Sequence, residues 1–398
     1  MATKRRCENW LKSFLNWTLP VSEAPESLLI WSGLFCIAAV LKKKVRFAKD
    51  YLKKYEIYPT TYVIFVGPPG VVRKSTSAGY AQDIIVEASK GLPITNPEVV
   101  HLGPTSGSHV AIMDKMSNSP DGSLTIISGE FGNIVSTSPE QTYDFLSKMF
   151  DSDKTAERIE HSTRGSGDTI TLNPSLNLLG CTTPDWMSEN TSYILGGGLG
   201  ARTVFVFENH ARQRHLFYKN IGPSVGELDA MKEALVYDLR HIGRLKGEFV
   251  PESEKLAKEM EDWYLSYIDK QGEKGTETFQ ARKHVHGLRT AMLLSAAERD
   301  DLIITTEHFR ASLILIDEVE KRLSRGLSSV GRNPYSGFLY DILDYIAINE
   351  PIQRSVVTRR FWADLQLEEI SKIIEILKVS GEIIEDRTTE MLRVRAKN

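Results

Sequence analysis

Apolar residues fall in three successive patterns along the chain, and each predicts a different kind of structure. Up to residue 60, Trp10, Leu11, Phe14, Leu15 and Trp17 recur at helical spacing, and the apolar run Leu28 to Leu41 follows Pro20 and Pro25. This predicts two helices leading into a first strand. From Tyr62 to Phe207 short apolar runs alternate with helical stretches and glycine-rich turns. The runs are Tyr62 to Val66, Val99 to Leu102, Leu124 to Ser128, Leu176 to Leu179 and Val204 to Phe207. Short runs without polar alternation predict strands buried on both faces, hence a parallel sheet. Covering helices are expected at Thr76 to Ala88, His109 to Met116 and Thr142 to Phe150. The alternation of strand and helix predicts an α/β nucleotide-binding core.

From Glu227 to Arg325 the spacing becomes helical throughout, as in Met260, Trp263, Tyr264 and Tyr267, then Leu288, Met292, Leu293 and Ala296. Gly326 to Gly337, rich in Gly, Ser, Asn and Pro, predicts a linker. Beyond it, helices are expected at Phe338 to Ile348, Gln353 to Trp362 and Glu368 to Val379, with short strands at Glu382 to Glu385 and Met391 to Val394. Three helices and a two-stranded wing make a winged helix. The expected organisation is an N-terminal helical basic module (1–60), an ATPase core (61–222), a helical lid (223–325), a linker (326–337) and a winged-helix domain (338–398).

Composition narrows the function classes. The 398 residues are 41% hydrophobic and 25% charged, which excludes collagen-like, coiled-coil and wholly disordered chains. Net charge is −3, yet residues 1 to 60 carry 11 Lys or Arg against 5 Asp or Glu, so basic charge gathers at one end. The 3 cysteines, Cys7, Cys36 and Cys181, lack metal-ligand or disulfide spacing, which points to a reducing, cytoplasmic setting in a bacterial or archaeal host. Leu28 to Leu41 is shorter than the roughly 20 residues that cross a bilayer, so a buried helix and no membrane is expected.

The candidate chemistry centres on V-I-F-V-G-P-P-G-V-V-R-K-S-T, Val63 to Thr76. A strand, a Gly-Pro turn, Lys-Ser and a helix form the setting of a phosphate-binding (Walker A) loop. In such a loop the amides of Gly67, Pro69-Gly70 and Arg73 through Thr76 surround the phosphates. Lys74 supplies a positive charge to the β/γ oxygens and Ser75 a hydroxyl to Mg²⁺, so ATP and Mg²⁺ are the expected cofactors. The usual spacing puts glycines at 68 and 73, where this chain has Pro68 and Arg73. A loop that binds without hydrolysing is the alternative.

Four further positions complete the expected site. The strand ending S-G-E-F-G, Ser128 to Gly132, is expected beside the loop strand, with Glu130 as catalytic acid and metal ligand; Gly129 stands where a preceding Asp is usual. An exposed turn Glu is the plainer reading. Thr182, ending L-N-L-L-G-C-T-T-P-D, is a candidate sensor of the γ-phosphate, or part of a turn with Thr183. Arg202, after four glycines in L-G-G-G-L-G-A-R, can reach a neighbouring subunit's nucleotide or form a structural salt bridge. The alternation around R-G-S-G predicts a hairpin whose His161 and Arg164 grip a nucleic-acid backbone, unless it is an ordinary surface hairpin. The winged helix carries 9 basic and 9 acidic residues from Glu350 to Asn398, so protein contact competes with DNA contact through Arg359 and Arg360.

The order of these motifs over about residues 25 to 325 resembles the helicase-like P-loop ATPases of phages and plasmids, a domain of unknown function found with primases. It is similar, more distantly, to superfamily 3 and other AAA+ ring helicases. That resemblance implies a P-loop NTPase (AAA+/RecA-like) core, Lys74 and Ser75 as phosphate and metal contacts, Glu130 as catalytic acid, Thr182 as sensor and Arg202 as trans-acting finger. Arg282 or Arg289 of the lid is a candidate second sensor. The implied function is an ATP-dependent, ring-forming motor on single-stranded DNA, a hexameric replicative helicase of a phage or plasmid-like element, working with a separate primase. Rival readings are an ATP-switched DNA-binding protein or helicase loader with slow hydrolysis, and a double-stranded DNA translocase.

Overall fold

The computed structural model describes residues 4–48, 56–96, 98–151, 158–163, 167–190, 198–215, 217, 222–268, 276–328, 336–386 and 389–395. Two units are present, Met1–Leu323 and Ser324–Asn398.

The larger unit is built on a four-stranded parallel sheet. Its order is Ser123–Ser128, Ser175–Thr182, Tyr62–Val66, Thr203–Phe207. Every residue of the first three strands is buried, as the unbroken apolar runs predict. Val99 to Leu102 does not form a fifth strand. Only Leu102 bridges to Thr125, because Gly103 turns the chain under Leu124 and Ile126. The sequence places Ser123–Ser128 beside the loop strand; the structure instead inserts Ser175–Thr182 between them.

Helices cover both faces of this sheet. Glu26–Leu41 and Lys74–Ser89 pack together on one side, where Asn177 offers its amide to Ala38 O and accepts from Thr61 N. Pro139–Phe150 packs on the other, with Tyr62 donating to Leu146 O and stacking edge-on against Phe150. Glu26–Leu41 is buried on nearly every side, which explains its lack of amphipathic pattern. Around it gather Trp10–Thr18, Val225–Ile242 and Lys283–Glu298. Residues 1–60 are thus woven into the same unit as the sheet. Among the described residues, no helix is long and apolar enough to cross a membrane.

The N-terminal basic residues are largely engaged within the chain. Arg5 pairs with Asp300 at 2.5 Å, Lys42 with Asp121 at 2.6 Å and Arg46 with Glu56 at 2.7 Å. Arg6 lies over the Tyr237 ring, and Lys44 donates to Gly243 O. The local charge excess therefore braces the fold more than it makes a polyanion patch. Cys7, Cys36 and Cys181 are unpaired and buried.

The smaller unit holds the helices Ser336–Asn349, Arg354–Phe361 and Leu367–Val379 around a core that includes Ile342, Ile346, Phe361, Ile370 and Ile374. Its sheet has three strands rather than two, because Ile352–Gln353 pairs with Met391–Val394, which also pairs with Ile383–Asp386. The linker expected from Gly326 is shortened, since helix Thr306–Ser328 runs through it, and 329–335 lie outside the described residues.

Candidate functional site

All four core strands run the same way and nearly in register, with Val66 opposite both Thr182 and Phe207, and Ser128 opposite Gly180. Four chain segments therefore leave the sheet at one edge: loop 67–73, Gly129-Glu130, Thr182-Thr183 and Glu208. Crevices at the carboxyl ends of parallel strands are the usual ligand sites of such sheets.

The loop has a specific shape. Gly67 lies against Glu208 so closely that a Cβ there would collide with the Glu208 carbonyl oxygen, and Val72 is fully buried beneath it. Gly70 takes φ 71°. Arg73 takes the left-handed conformation, φ 56° and ψ 37°, just before helix Lys74–Ser89. Glycine adopts this conformation freely, whereas a residue with a Cβ bears a cost of roughly 1–2 kcal/mol. The Arg73 guanidinium donates to Glu23 at 2.6 Å, which fixes the strained residue from outside the loop. The His215 amide and Arg73 hold the Glu23 carboxyl below its usual range.

No side chain caps helix Lys74–Ser89, whereas Ser108, Thr183 and Ser224 cap theirs. Its first amides therefore keep their donors for another acceptor. The Lys74 ammonium curls over the loop to Gly67 O at 2.5 Å and Pro68 O at 3.1 Å. Burial lowers its pKa, and the Cys181 side and Glu130 oppose that shift. Burial also pushes the Cys181 thiol up to about 12, so it stays neutral beside the ammonium. Pro69, Gly70, Arg73, Ser75 and Thr76 are exposed around this charge.

Opposite the loop stands the turn that carries Glu130. Phe131, fully buried, pins it by donating its amide to Cys181 O at 2.7 Å, and Ser128 Oγ donates to Glu130 O at 2.8 Å. The Glu130 side chain is left exposed. A Cβ on Gly129 would meet only Ser75 Oγ, at 3.9 Å. The position of the absent acid thus faces the very hydroxyl expected to bind metal, and the space is open.

The two threonines separate cleanly. Thr183 Oγ1 caps helix Pro184–Glu189 by accepting from Trp186 N at 3.2 Å. Thr182 Oγ1 is buried and has no hydrogen-bond partner among the described residues. The inserted central strand carries this orphan hydroxyl between the loop and the Glu130 turn.

Arg202 lies elsewhere. It precedes Thr203, which pairs with Tyr62 at the opposite edge of the sheet. Five residues of strand, about 16 Å, separate it from the loop of its own chain. Its guanidinium grips Asp151 and donates to Gly198 O at 2.6 Å. Arg282 joins the same carboxylate at 2.5 Å, and Arg289 lies over Phe150 at 3.9 Å. Burial favours the neutral Asp151 carboxyl, but Arg202 and Arg282 bring its pKa below the usual value. Within the chain Arg202 therefore makes the structural salt bridge, and Arg282 and Arg289 accompany it instead of the loop. This contact spans 51 positions to Asp151, so no local pattern signals it.

The predicted hairpin forms, Arg158–Thr163 against Gly167–Leu172, with His161 opposite Thr169. Arg164, expected at its tip, lies outside the described residues.

Glu23 and Glu208 are site residues that sequence reasoning missed. Glu208 is the first acid after the apolar run ending at Phe207, a position that could have marked it. Burial raises its carboxyl pKa, against hydrogen bonds from Ser27 and Arg322. Among the described residues, no group of three or more His, Cys, Asp or Glu side chains could hold a metal. Ser75 with Glu130 suits a Mg²⁺ that takes most of its ligands from phosphate and water. No protein-family model matches the chain, and no curated protein matches it closely enough to count as a relative.

Proposed function

We propose that this protein binds and hydrolyses ATP and uses the energy as a ring-forming motor on single-stranded DNA, in the manner of a replicative helicase of a phage or plasmid-like element. The observation that carries the reading is the loop: an uncapped helix N-terminus, a left-handed residue before Lys74, and an ammonium held over loop carbonyls. Amide donors, the helix dipole and one cation converge there on the space a triphosphate tail needs.

The roles follow from placement. Loop amides and Lys74 bind the β and γ phosphates and offset their charge as the bond to the γ phosphorus breaks. Mg²⁺, held by Ser75 and Glu130, would neutralise phosphate charge. Glu130 takes the proton of the attacking water, and Thr182 hydrogen-bonds the γ-phosphate or that water. Arg202 serves a neighbouring copy of the chain, because it cannot reach its own loop. The strand-rich hairpin carries the DNA contact. In the smaller unit, three helices and a three-stranded sheet suit a winged helix, whose balanced charge favours a protein partner over DNA.

ATP turnover, measured with and without single-stranded DNA, tests the reading. Stimulation by DNA that disappears in Lys74→Ala supports it. Turnover indifferent to both would exclude a motor. The open space at Gly129 and the strained Arg73 favour a second reading, a nucleotide-switched loader that hydrolyses slowly. Unwinding of a forked duplex would eliminate that alternative.

A further inference from the structure

Beside the loop, and still within the larger unit, lies a cavity of about 420 Å³. It falls within the size range of small-molecule sites, roughly 300–1,000 Å³. Three elements enclose it: the start of helix Glu26–Leu41, the end of strand Thr203–Phe207, and helix Thr306–Ser328. Glu208 belongs to its wall and also touches Gly67, so the cavity and the loop share a stretch of backbone.

Its chemistry is divided. Ile30, Trp31, Val206 and Leu315 supply apolar walls, against which a flat ring can be buried. The polar rim contains both cations and carboxylates, but the cations are occupied. Arg322 pairs with Glu208 and, at 2.5 Å, with Glu318, and Arg212 donates to Leu19 O and Ser22 O. Glu26 makes no hydrogen bond or ion pair with any described residue. The rim is therefore rich in acceptors that call for a donor. The Arg322 bridge also ties helix Thr306–Ser328 to the strand end, donating to Phe207 O at 3.3 Å, so the walls are held in place.

We propose that this cavity is the base and ribose subsite of the nucleotide whose phosphates the loop holds, and that it selects a purine bearing an exocyclic amine. The inference rests on the nucleotide reading of the loop and adds what that reading leaves open, namely which base is bound and by which residues. The apolar walls bury the ring, and the Glu26 carboxylate accepts from the amine. A purine with a carbonyl in place of the amine would set an oxygen against that acceptor.

The test compares three probes by calorimetric titration with Mg²⁺: ATP, inosine triphosphate and inorganic tripolyphosphate. Leu315→Trp fills the cavity from one wall, and Ile30→Trp fills it from the other should the first variant fail to fold. ATP is expected to bind at least fivefold more tightly than inosine triphosphate. The filled variant is expected to weaken ATP at least tenfold while tripolyphosphate changes less than twofold. Equal affinity for ATP and inosine triphosphate, or ATP binding untouched by the filled cavity but still lost in Lys74→Ala, overturns the subsite alone. Tripolyphosphate and ATP both indifferent to Lys74→Ala overturn it together with the loop reading.

Discussion

Arg73 and Glu23 are joined side chain to side chain, Nε to Oε2 at 2.6 Å, while the backbone of Arg73 is held left-handed at φ 56°. A chain segment 50 positions away thus props the one loop residue whose backbone is strained. Two substitutions separate these effects. Arg73→Ala keeps the strain and loses the prop, whereas Arg73→Gly loses both. Thermal unfolding is expected to rank Arg73→Ala below Arg73→Gly by about 1 kcal/mol. The reverse order would mean that the left-handed conformation carries no cost here.

Gly129 faces Ser75 across open space, and its backbone is not among the positive-φ positions. An aspartate fits there without steric conflict. Gly129→Asp is expected to lower the Mg²⁺ concentration needed for half-maximal ATP turnover by severalfold, by adding a second carboxylate to the site. An unchanged Mg²⁺ requirement would remove Gly129 from any account of slow hydrolysis.

The Thr182 hydroxyl is buried without a partner, an arrangement that lowers stability by about 1–3 kcal/mol. Thr182→Val keeps the shape and removes the unsatisfied group. The variant is expected to be as stable as the parent or more so, yet at least tenfold slower in ATP turnover. Thr183→Val should do the opposite, destabilising the helix it caps by about 1 kcal/mol. Equal turnover in Thr182→Val and the parent would reduce the hydroxyl to a packing feature.

His286 is stacked on Phe279 at 5.0 Å, with Nε2 2.9 Å from Ala201 O. Burial pushes its pKa down to about 3, and the neighbouring arginines reinforce this against the Ala201 carbonyl. An unfolded histidine titrates near 6.5, so between pH 6.5 and about 3 the unfolded chain binds the extra proton. The contribution to stability is complete above pH 6.5 and falls as the pH drops, by at most about 1.4 kcal/mol per pH unit. Unfolding midpoints at pH 7 and pH 5 should differ more in the parent than in His286→Gln. Equal differences would place the acid sensitivity elsewhere.

What the sequence disclosed was local. Val63 to Thr76 is one uninterrupted strand, turn and helix start, so its wording alone marked the loop. The buried strands were readable because both faces are covered and no polar residue interrupts Tyr62–Val66. Strand order was not, since Ser175–Thr182 enters between two strands that precede it in the chain, a choice made by packing. Thr182 and Thr183 are adjacent and chemically alike; only the start of a helix at Pro184 tells the cap from the orphan. The basic residues of the N-terminal segment suggested a charged surface, but their partners, such as Asp121 and Asp300, lie far along the chain. Arg202 likewise meets an aspartate that no neighbouring motif announces.

Calorimetric titration of ATP with Mg²⁺ into the full chain, beside Lys74→Ala, bears most directly on the central claim. One nucleotide per chain is expected, with affinity falling at least tenfold in the variant while its unfolding midpoint is preserved. No heat of binding in the parent, or equal affinity in both proteins, would contradict nucleotide binding at this loop.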